Sequence, residues 1–266
     1  MNWTFLSKHN DDEYIEMLAQ GAGTKPTALE SWDYSADHKP LVIRGIMKHK
    51  IIKRCWQDHR LFRYMDSGYL GNRASSANPN GWKWWHRIVD NNLQHNDIVE
   101  RPDDRWKMLG YQLQPRRYGS KILIAAPDEK PCIFYGINLQ QWLEEVIATI
   151  KQHTDRPIVV RERNPNRQTR VHNSLESALD DVHALVTYNS IAATESIIAG
   201  VPAFTLAPTN AAAPVANQQL KDIDAPFWPD QDLRHAWVCH LAYGQFHINE
   251  LKNGTAWRIL EEQYHA

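Results

Sequence analysis

Cysteine is scarce in this sequence, and long hydrophobic runs are absent from it. Three cysteines occur in 266 residues, namely Cys55, Cys132 and Cys239, and they are far apart. An odd, dispersed set argues against a disulfide framework or a cysteine-based zinc site and indicates a reducing compartment. No apolar stretch approaches the roughly 18 residues that cross a bilayer, and the N-terminal residues lack the basic and apolar regions of a signal peptide. We therefore expect a cytoplasmic protein with no membrane partner.

Metal-binding motifs and repeats are also missing. The chain contains no His-rich motif that would demand a metal, no internal repeat and no low-complexity tract. We therefore expect neither a metal site nor a cofactor. What is present is the composition of a globular protein, 42% hydrophobic and 23% charged, in a chain long enough for one large domain or two small ones.

Positive charge is concentrated in the middle of the chain. Residues 41–117 carry fifteen Lys and Arg against seven Asp and Glu, a net of +8, whereas residues 1–40 and 118–266 have nets of −4 and −5. A basic segment with interleaved aromatics suits nucleic acid or another polyanion, through phosphate contacts and base stacking. Alternatively the aromatics are core and the charges a solvated face, which the whole-chain net of −1 favours. The aromatic residues of this segment include Trp56, Phe62, Tyr64, Tyr69, Trp82, Trp84, Trp85 and Trp106.

The first half of the chain alternates short apolar runs with polar loops. Two strands are predicted, Lys39–Ile46 and Arg60–Gly71, of which the second is interrupted by Asp66-Ser67-Gly68. The other segments are less regular: residues 1–38 are expected to be helical and irregular, 72–83 a polar loop, 84–94 a strand or a short helix, and 101–119 a connector.

Strands and helices alternate more clearly after Gly119. Apolar runs predict strands at Lys121–Pro127 and Arg156–Arg163, and an amphipathic pattern predicts a helix over Asn138–His153. A short helix, Ser174–Asp181, leads to another apolar run. This alternation is typical of an α/β fold with a parallel sheet.

The stretch "HALVTYNSIAATESIIAGVPAF", from His183 to Phe204, combines several local signals. A buried strand is followed by Asn189 and Ser190, which are favoured N-cap residues, and then by a helix over Ile191–Ala199. Gly200 is expected in the left-handed conformation that ends a helix, and a further strand begins at Ala203. A helix start at this edge of a parallel sheet suits an anion such as a diphosphate. The alternative is an ordinary capped helix.

The same stretch resembles the donor-binding motif of GT-B glycosyltransferases and their relatives, which include capsule-type sugar transferases, CDP-glycerol transferases and UDP-sugar 2-epimerases. In those proteins a Ser or Thr after the strand meets the diphosphate, a Glu in the helix meets the ribose, and Gly-x-Pro follows. The matching positions here are Ser190, Glu195, Gly200 and Pro202. The chain also resembles short glycosyltransferase-like proteins of large bacterial viruses, which would place it in the host cytoplasm.

The resemblance covers about half of the chain and implies a GT-B-like α/β fold with two Rossmann-like lobes. Residues 1–118 would form a reduced N-terminal acceptor lobe, because this part is short and has no early Gly-rich loop. Residues 119–266 would form the donor lobe. Arg161 ends a strand and could neutralise the diphosphate, with Arg163 and Arg170 as weaker candidates. The implied donor-binding residues are Arg161, Thr187, Asn189, Ser190, Thr194 and Glu195.

An inverting sugar transfer needs a base that deprotonates the acceptor hydroxyl. Asp66, at the end of "LFRYMD", is the first candidate and His49 is the second. Asp66 could instead form an Asx turn with Ser67-Gly68. The expected acceptor-binding residues are Arg44, Tyr69 and Arg87, whereas His86 is expected to be structural. Near the C-terminus, Gln245 and Glu250 could reach a catalytic cleft or simply begin a helix.

The sequence therefore predicts a glycosyltransferase that uses a nucleotide-sugar as its donor partner. The favoured acceptor is a hydroxymethylated or already glycosylated pyrimidine in phage DNA, because the middle segment is basic and aromatic. One alternative is a surface or capsular glycan acceptor. The other is a non-catalytic module that binds a nucleotide-sugar.

Overall fold

The chain folds into two compact units. The structure, a computed structural model, describes residues 2–8, 12–72, 83–161 and 175–264. The first unit contains the described residues of Met1–Asn72, Trp82–Leu93 and Gly244–Ala266, and the second contains those of Gln94–Tyr243. This division differs from the predicted boundary after residue 118, because the C-terminal segment adds a strand and two helices to the first unit.

The first unit is built on a six-stranded sheet with the order β10-β5-β4-β3-β1-β2. Strands β1 to β4 are parallel to one another, whereas β5 is antiparallel to both β4 and β10. The two strands predicted in this half are confirmed, and residues 84–94 contain a strand rather than a helix. The bounds are β1 Thr4–Ser7, β2 Thr27–Ala28, β3 Leu41–Arg44, β4 Phe62–Ser67, β5 Trp85–Asp90 and β10 Gln245–His247.

The prediction for residues 1–38 missed strands β1 and β2. Strand β1 has four residues, all of them buried. A fully buried strand of this length shows no alternation of apolar and polar residues, so its periodicity cannot be distinguished from that of a helix.

The described residues of the first unit form four α-helices: α1 Glu13–Gly21, α2 His49–Gln57, α9 Ile248–Lys252 and α10 Thr255–Tyr264. Helix α1 buries Ile15 and Leu18 in a core shared with Leu251 and Leu260 from the C-terminal helices. The C-terminal segment therefore completes this core. Glu250, one of the residues considered for a catalytic cleft, instead accepts the backbone N–H of His247 at 2.8 Å in a capping box.

A fully buried guanidinium, Arg63 on β4, ties this unit together. It donates to Asp90 on β5 at 2.9 Å and to Glu261 on α10 at 2.7 Å, and to the carbonyl oxygen of Leu260 at 3.1 Å. Its guanidinium carbon lies 4.3 and 4.7 Å from the ring centroids of Trp3 and Trp257. The cation thus links two strands and the C-terminal helix by charge-assisted and cation–π contacts.

The second unit is built on a four-stranded parallel sheet with the order β7-β6-β8-β9. Its strands are β6 Lys121–Ala125, β7 Ile158–Arg161, β8 Val182–Thr187 and β9 Ala203–Thr205, and its helices are α3 Asp104–Leu109, α4 Glu129–Tyr135, α5 Leu139–Lys151, α6 Leu175–Ala178, α7 Ala192–Ile198 and α8 Gln231–Tyr243. These bounds confirm the strand and helix alternation predicted after Gly119. The expected connector contains α3, a helix too short for a clear period.

The helix predicted over Asn138–His153 shows how local sequence signals specify the elements of the second unit. The side chain of Asn138 caps α5 by accepting the N–H of Gln141 at 3.1 Å. The apolar face then buries Trp142, Val146 and Ile150. Among the described residues, no helix has both the length and the apolar character needed to cross a membrane.

Both sheets share one topological feature. In each, the first strand lies between the second and the third, so that the strand order reverses between β1 and β3 in the first unit and between β6 and β8 in the second. Ligands of open α/β sheets bind outside the carboxyl ends of the strands at such a switch point. The two switch points therefore define where candidate functional residues should be sought.

Replacing Arg63 tests whether the buried cation holds the first unit together. Arg63→Ala leaves Asp90 and Glu261 without their partner, so we expect the free energy of unfolding to fall by about 3 kcal/mol or more. Urea unfolding measures this loss. The control is Arg258→Ala on α10, because Arg258 forms an exposed pair with Glu262 whose removal should cost less than about 1 kcal/mol. Equal losses for the two variants would contradict the assignment.

Candidate functional site

At the β1/β3 switch point, two cations converge on one carboxylate. Arg44, the last residue of β3, lies 3.5 Å from Asp12, and Lys48 lies 3.0 Å from it. The guanidinium carbon of Arg44 is 4.6 Å from the ring centroid of Tyr14. Arg44, predicted to bind the acceptor, is therefore at the expected edge but is paired with a buried acid. Its Nε has no hydrogen-bond partner among the residues that the structure describes.

The predicted base Asp66 lies near the end of β4 and is held by several donors. Its carboxylate accepts the Tyr64 hydroxyl at 2.6 Å and the Ser67 N–H at 2.7 Å, and it lies 3.6 Å from Arg87. Burial raises the pKa of Asp66, but the charge of Arg87 and these hydrogen bonds outweigh burial, so the pKa falls below its usual value. The Asx turn does not form, because the N–H of Gly68 donates to a backbone oxygen of β5. Asp66 is thus ionised and weakly basic.

Two predicted acceptor-binding residues are buried, which corrects their assignment. Tyr69 is 2% exposed and Arg87 is 8% exposed. Arg87 donates to the backbone oxygens of Leu93 and Ser67, and its guanidinium carbon lies 5.5 Å from the Tyr69 ring centroid. Both side chains therefore hold the loop after β4 and do not present themselves to a ligand. Gln245, the other residue considered for a cleft, is fully buried and accepts the N–H groups of residues 69 and 70.

Two histidines of the first unit differ in their surroundings. His86, expected to be structural, is buried, contacts the backbone oxygen of Lys83 at 3.1 Å and packs on Tyr14 with ring centroids 4.1 Å apart. Burial, followed by the charge of Arg44, lowers the pKa of His86 to about 4. His49 is the half-buried first residue of α2, and its Nδ1 has no partner in the described part of the chain.

The aromatic residues of the basic segment are mostly core. Phe62, Tyr64, Tyr69 and Trp106 are all buried, whereas Trp56 and Trp84 are the large aromatics exposed in the described part of this segment. Trp82 lies outside the described residues. The alternative stated for this segment, an aromatic core under a charged face, is the arrangement observed for most of these side chains.

At the β6/β8 switch point, two predicted donor-binding residues point into the protein. Thr187 is fully buried, and its hydroxyl donates to the backbone oxygen of Ala125 on β6 at 2.8 Å. Thr194 on α7 is also fully buried. We therefore correct both assignments: Thr187 joins two strands and Thr194 packs inside the unit.

The turn after β8 presents Ser190 at the edge of the sheet. Ile191, and neither Asn189 nor Ser190, is the N-cap of α7, which corrects that prediction. The Ser190 hydroxyl oxygen nevertheless accepts the N–H of Ala192 at 3.2 Å. Neither its hydroxyl hydrogen nor its backbone N–H donates to any residue of the described ranges. Ser190 is half-buried, and both donors lack a protein partner within the described ranges.

Side chains from distant segments hold this turn in place. Gln94 donates to the backbone oxygen of Asn189 at 2.9 Å, and Asn210 donates to that of Ser190 at 3.1 Å. The amide of Asn189 donates to the hydroxyl of Tyr135, which lies at the end of α4. Asn189, expected to bind the donor, thus has its side chain engaged within the unit. Sequence reasoning missed Gln94, Asn210 and Tyr135, because no local pattern links them to the turn.

The remaining predicted residues lie at or near the same edge of the sheet. Arg161 is the half-buried last residue of β7, and Glu195 is half-buried in the first turn of α7. Gly200 has φ 88°, which confirms the predicted left-handed end of the helix. Arg163 and Arg170 lie outside the described residues. Within the described ranges no group of three His, Cys, Asp or Glu side chains could hold a metal ion.

Comparison with known proteins establishes the fold. No family model and no curated protein matches the sequence. Two solved structures are similar over nearly their whole length, both from Thermosulfurimonas dismutans KpsC. The β-Kdo 2,7 transferase has a TM-score of 0.55 at 12% identity, covering 96% of this chain and 99% of its own. The β-Kdo 2,4 transferase has a TM-score of 0.55 at 11% identity, covering 95% and 98%. The chain therefore has the predicted GT-B-like α/β fold.

The depressed pKa of His86 predicts a loss of stability in acid. Unfolding restores the usual pKa near 6.5, so the unfolded state takes up a proton as the pH falls below about 6.5, whereas the folded state does so only near pH 4. Stability contributed by neutral His86 is thus present above pH 6.5 and falls by up to ~3 kcal/mol on approaching pH 4.

The measurement is urea unfolding of wild type and His86→Gln at pH 7 and pH 4.5. Glutamine can keep the hydrogen bond to Lys83 but does not titrate. His183 and His240 also have pKa values lowered by burial, so the informative quantity is the difference between the two proteins. We expect that difference to shrink at pH 4.5, and parallel pH profiles would contradict the prediction.

Proposed function

We propose that the protein is a glycosyltransferase that moves a sugar from a nucleotide-sugar to a hydroxyl group of a glycan. The observation that carries the proposal is the fold shared with two transferases over nearly the full length of each chain. The turn at Ser190 and the strand end at Arg161 supply the donor-binding groups that this activity requires. A non-catalytic binding module would have the same fold, so the reaction itself must be tested.

The donor phosphate is the group that the second unit is best suited to bind. A departing nucleotide carries negative charge that must be stabilised, and preorganised N–H and O–H donors with a cation provide this without a metal. Ser190 follows β8 and offers two such donors, and Arg161 ends β7, on the far side of β6, at the same edge of the parallel sheet. Glu195, one turn further along α7, is the proposed partner of the ribose hydroxyls.

The base is better assigned to His49 than to Asp66. Asp66 accepts two hydrogen bonds, lies near Arg87 and has a lowered pKa, so it binds a proton weakly. The Nδ1 of His49 is buried without a partner in the described part of the chain, so the Nε2 of this half-buried ring is the nitrogen that we propose as the base. An imidazole is also the side chain most suited to take up a proton near neutral pH.

A glycan is favoured over DNA as the acceptor. Both similar structures are named as sugar transferases acting with Kdo, and neither name refers to nucleic acid. Several of the side chains that suggested DNA make contacts within the protein: Arg63, Arg87, Tyr64 and Tyr69 are buried, and Arg44 and Lys48 pair with Asp12. A buried ring is not available for stacking with a base.

Sugar transfer from a panel of nucleotide-sugars tests the proposal directly. Each donor is incubated with a set of oligosaccharides and, separately, with hydroxymethylated DNA, and the products are identified by mass spectrometry. We expect a mass increase of one sugar on an oligosaccharide. Transfer to DNA alone would overturn the glycan acceptor, and the absence of transfer by a protein that still binds a nucleotide would support the binding module.

Substitution of His49 tests the assignment of the base. His49→Gln keeps a polar side chain but cannot accept a proton at neutral pH, so we expect kcat to fall by about 10²-fold or more while donor affinity is retained. Asp66→Asn should reduce kcat less. The control is His59→Gln, since His59 is an exposed histidine just after the same helix. A normal rate for His49→Gln, with loss of activity in Asp66→Asn, would return the role to Asp66.

A further inference from the structure

We infer that Gln94 is a positioning residue that sets the orientation of the peptide unit between Asn189 and Ser190, and thereby aims the Ser190 N–H at the donor phosphate. This inference rests on the proposed function. Gln94 is the first described residue of the second unit and is 4% exposed. Its effect on the donor passes through the turn that it holds.

Every polar atom of the Gln94 side chain is engaged within the second unit. Its amide nitrogen donates to the backbone oxygen of Asn189 at 2.9 Å and to the side-chain oxygen of Asn189 at 3.1 Å. Its amide oxygen accepts the N–H of Ala211 at 2.9 Å. A side chain here must therefore donate twice toward Asn189 and accept once from Ala211, which fits the amide of glutamine.

The peptide plane converts this contact into an effect on Ser190. A trans peptide is planar, and its C=O and N–H point in opposite directions. Because the carbonyl of Asn189 points toward Gln94, the N–H of Ser190 points away from Gln94. That N–H donates to no residue in the described ranges, so it is available to a ligand on the side of the turn opposite Gln94.

The other hydrogen bonds of this turn do not involve the Asn189 carbonyl, so Gln94 is the group that fixes this peptide. Asn210 holds the next carbonyl, that of Ser190, at 3.1 Å. The Asn189 amide donates to Tyr135 and, at 3.5 Å, to Thr209, which fixes its side chain. Among the described contacts, Gln94 is the side chain that bonds the Asn189 backbone oxygen. Without it this peptide can rotate, and the Ser190 N–H loses its direction.

The decisive variant is Gln94→Met, which keeps the length of the side chain and adds no charge. A thioether cannot donate to Asn189, so the peptide is no longer held in this orientation. The probes are nucleoside diphosphates, their sugar esters and the matching nucleosides without phosphate, with affinities measured by calorimetry on folded protein. We expect the phosphate-bearing probes to bind about tenfold more weakly or worse, because a charge-assisted hydrogen bond is lost, while the nucleosides bind equally well.

The matched control is Asn217→Ala, which removes another buried amide of the second unit. Asn217 bonds the backbone of Ala203 and Phe227, and its loss should lower stability without changing the ratio of nucleotide to nucleoside affinity. A merely structural role for Gln94 would give the same unchanged ratio, and that result would overturn the inference while leaving the proposed function intact. Failure of wild type to bind any probe would overturn both.

A second measurement does not depend on the variant folding. In wild-type protein labelled with ¹⁵N, the backbone amide resonance of Ser190 should shift when a nucleoside diphosphate is added and should shift much less with the nucleoside. A phosphate-dependent shift supports the inference. Nucleotide binding that leaves the Ser190 amide resonance unchanged would overturn it.

Discussion

The first unit depends on a buried cation whose partners lie far apart in the chain. Arg63 on β4 is bonded to Asp90, 27 residues away, and to Glu261, 198 residues away. A guanidinium removed from water is tolerated only when such partners are in place. The first unit is therefore complete only when the C-terminal helix has joined it. The described residues of the second unit all lie between Gln94 and Tyr243, so that unit interrupts the sequence of the first.

In the second unit, neutral amide side chains rather than a buried cation connect distant segments of the chain. Its candidate donor site is a turn whose backbone is bonded by amide side chains from Gln94 and Asn210. The side chains of Gln94 and Asn210 are buried, so an amide donor that loses its hydrogen bond there is left unsatisfied. The outer side of the turn keeps the donors of Ser190 free of described partners. Rigid support on one side and available donors on the other are what a preorganised anion site requires.

The sequence predicted the second sheet well because its signals are local. The apolar runs of β6 and β8, the Asn138 cap and Gly200 each act within a few residues, and their elements form where expected. Side-chain direction was harder to predict. Thr187 and Thr194 are of a suitable type for ligand contact, but the register of a strand or helix turns them inward.

Residues that act over long distances were missed for the same reason. Gln94 and Asn189 are 95 residues apart, and no spacing rule links them. Nor does composition distinguish a buried, bonded arginine from a solvated one, so the basic middle segment suggested a charged surface although Arg63, Arg87 and Arg105 are buried.

Hydrogen exchange with and without a nucleotide-sugar is the most direct test of the central claim, that the donor binds at the turn after β8. Peptides spanning residues 183–204 would be followed by mass spectrometry at saturating ligand. Binding at this turn predicts slower exchange in those peptides, with the first-unit strands β1, β3 and β4 unchanged. Protection confined to the first unit, or saturating binding with no protection over residues 183–204, would contradict it.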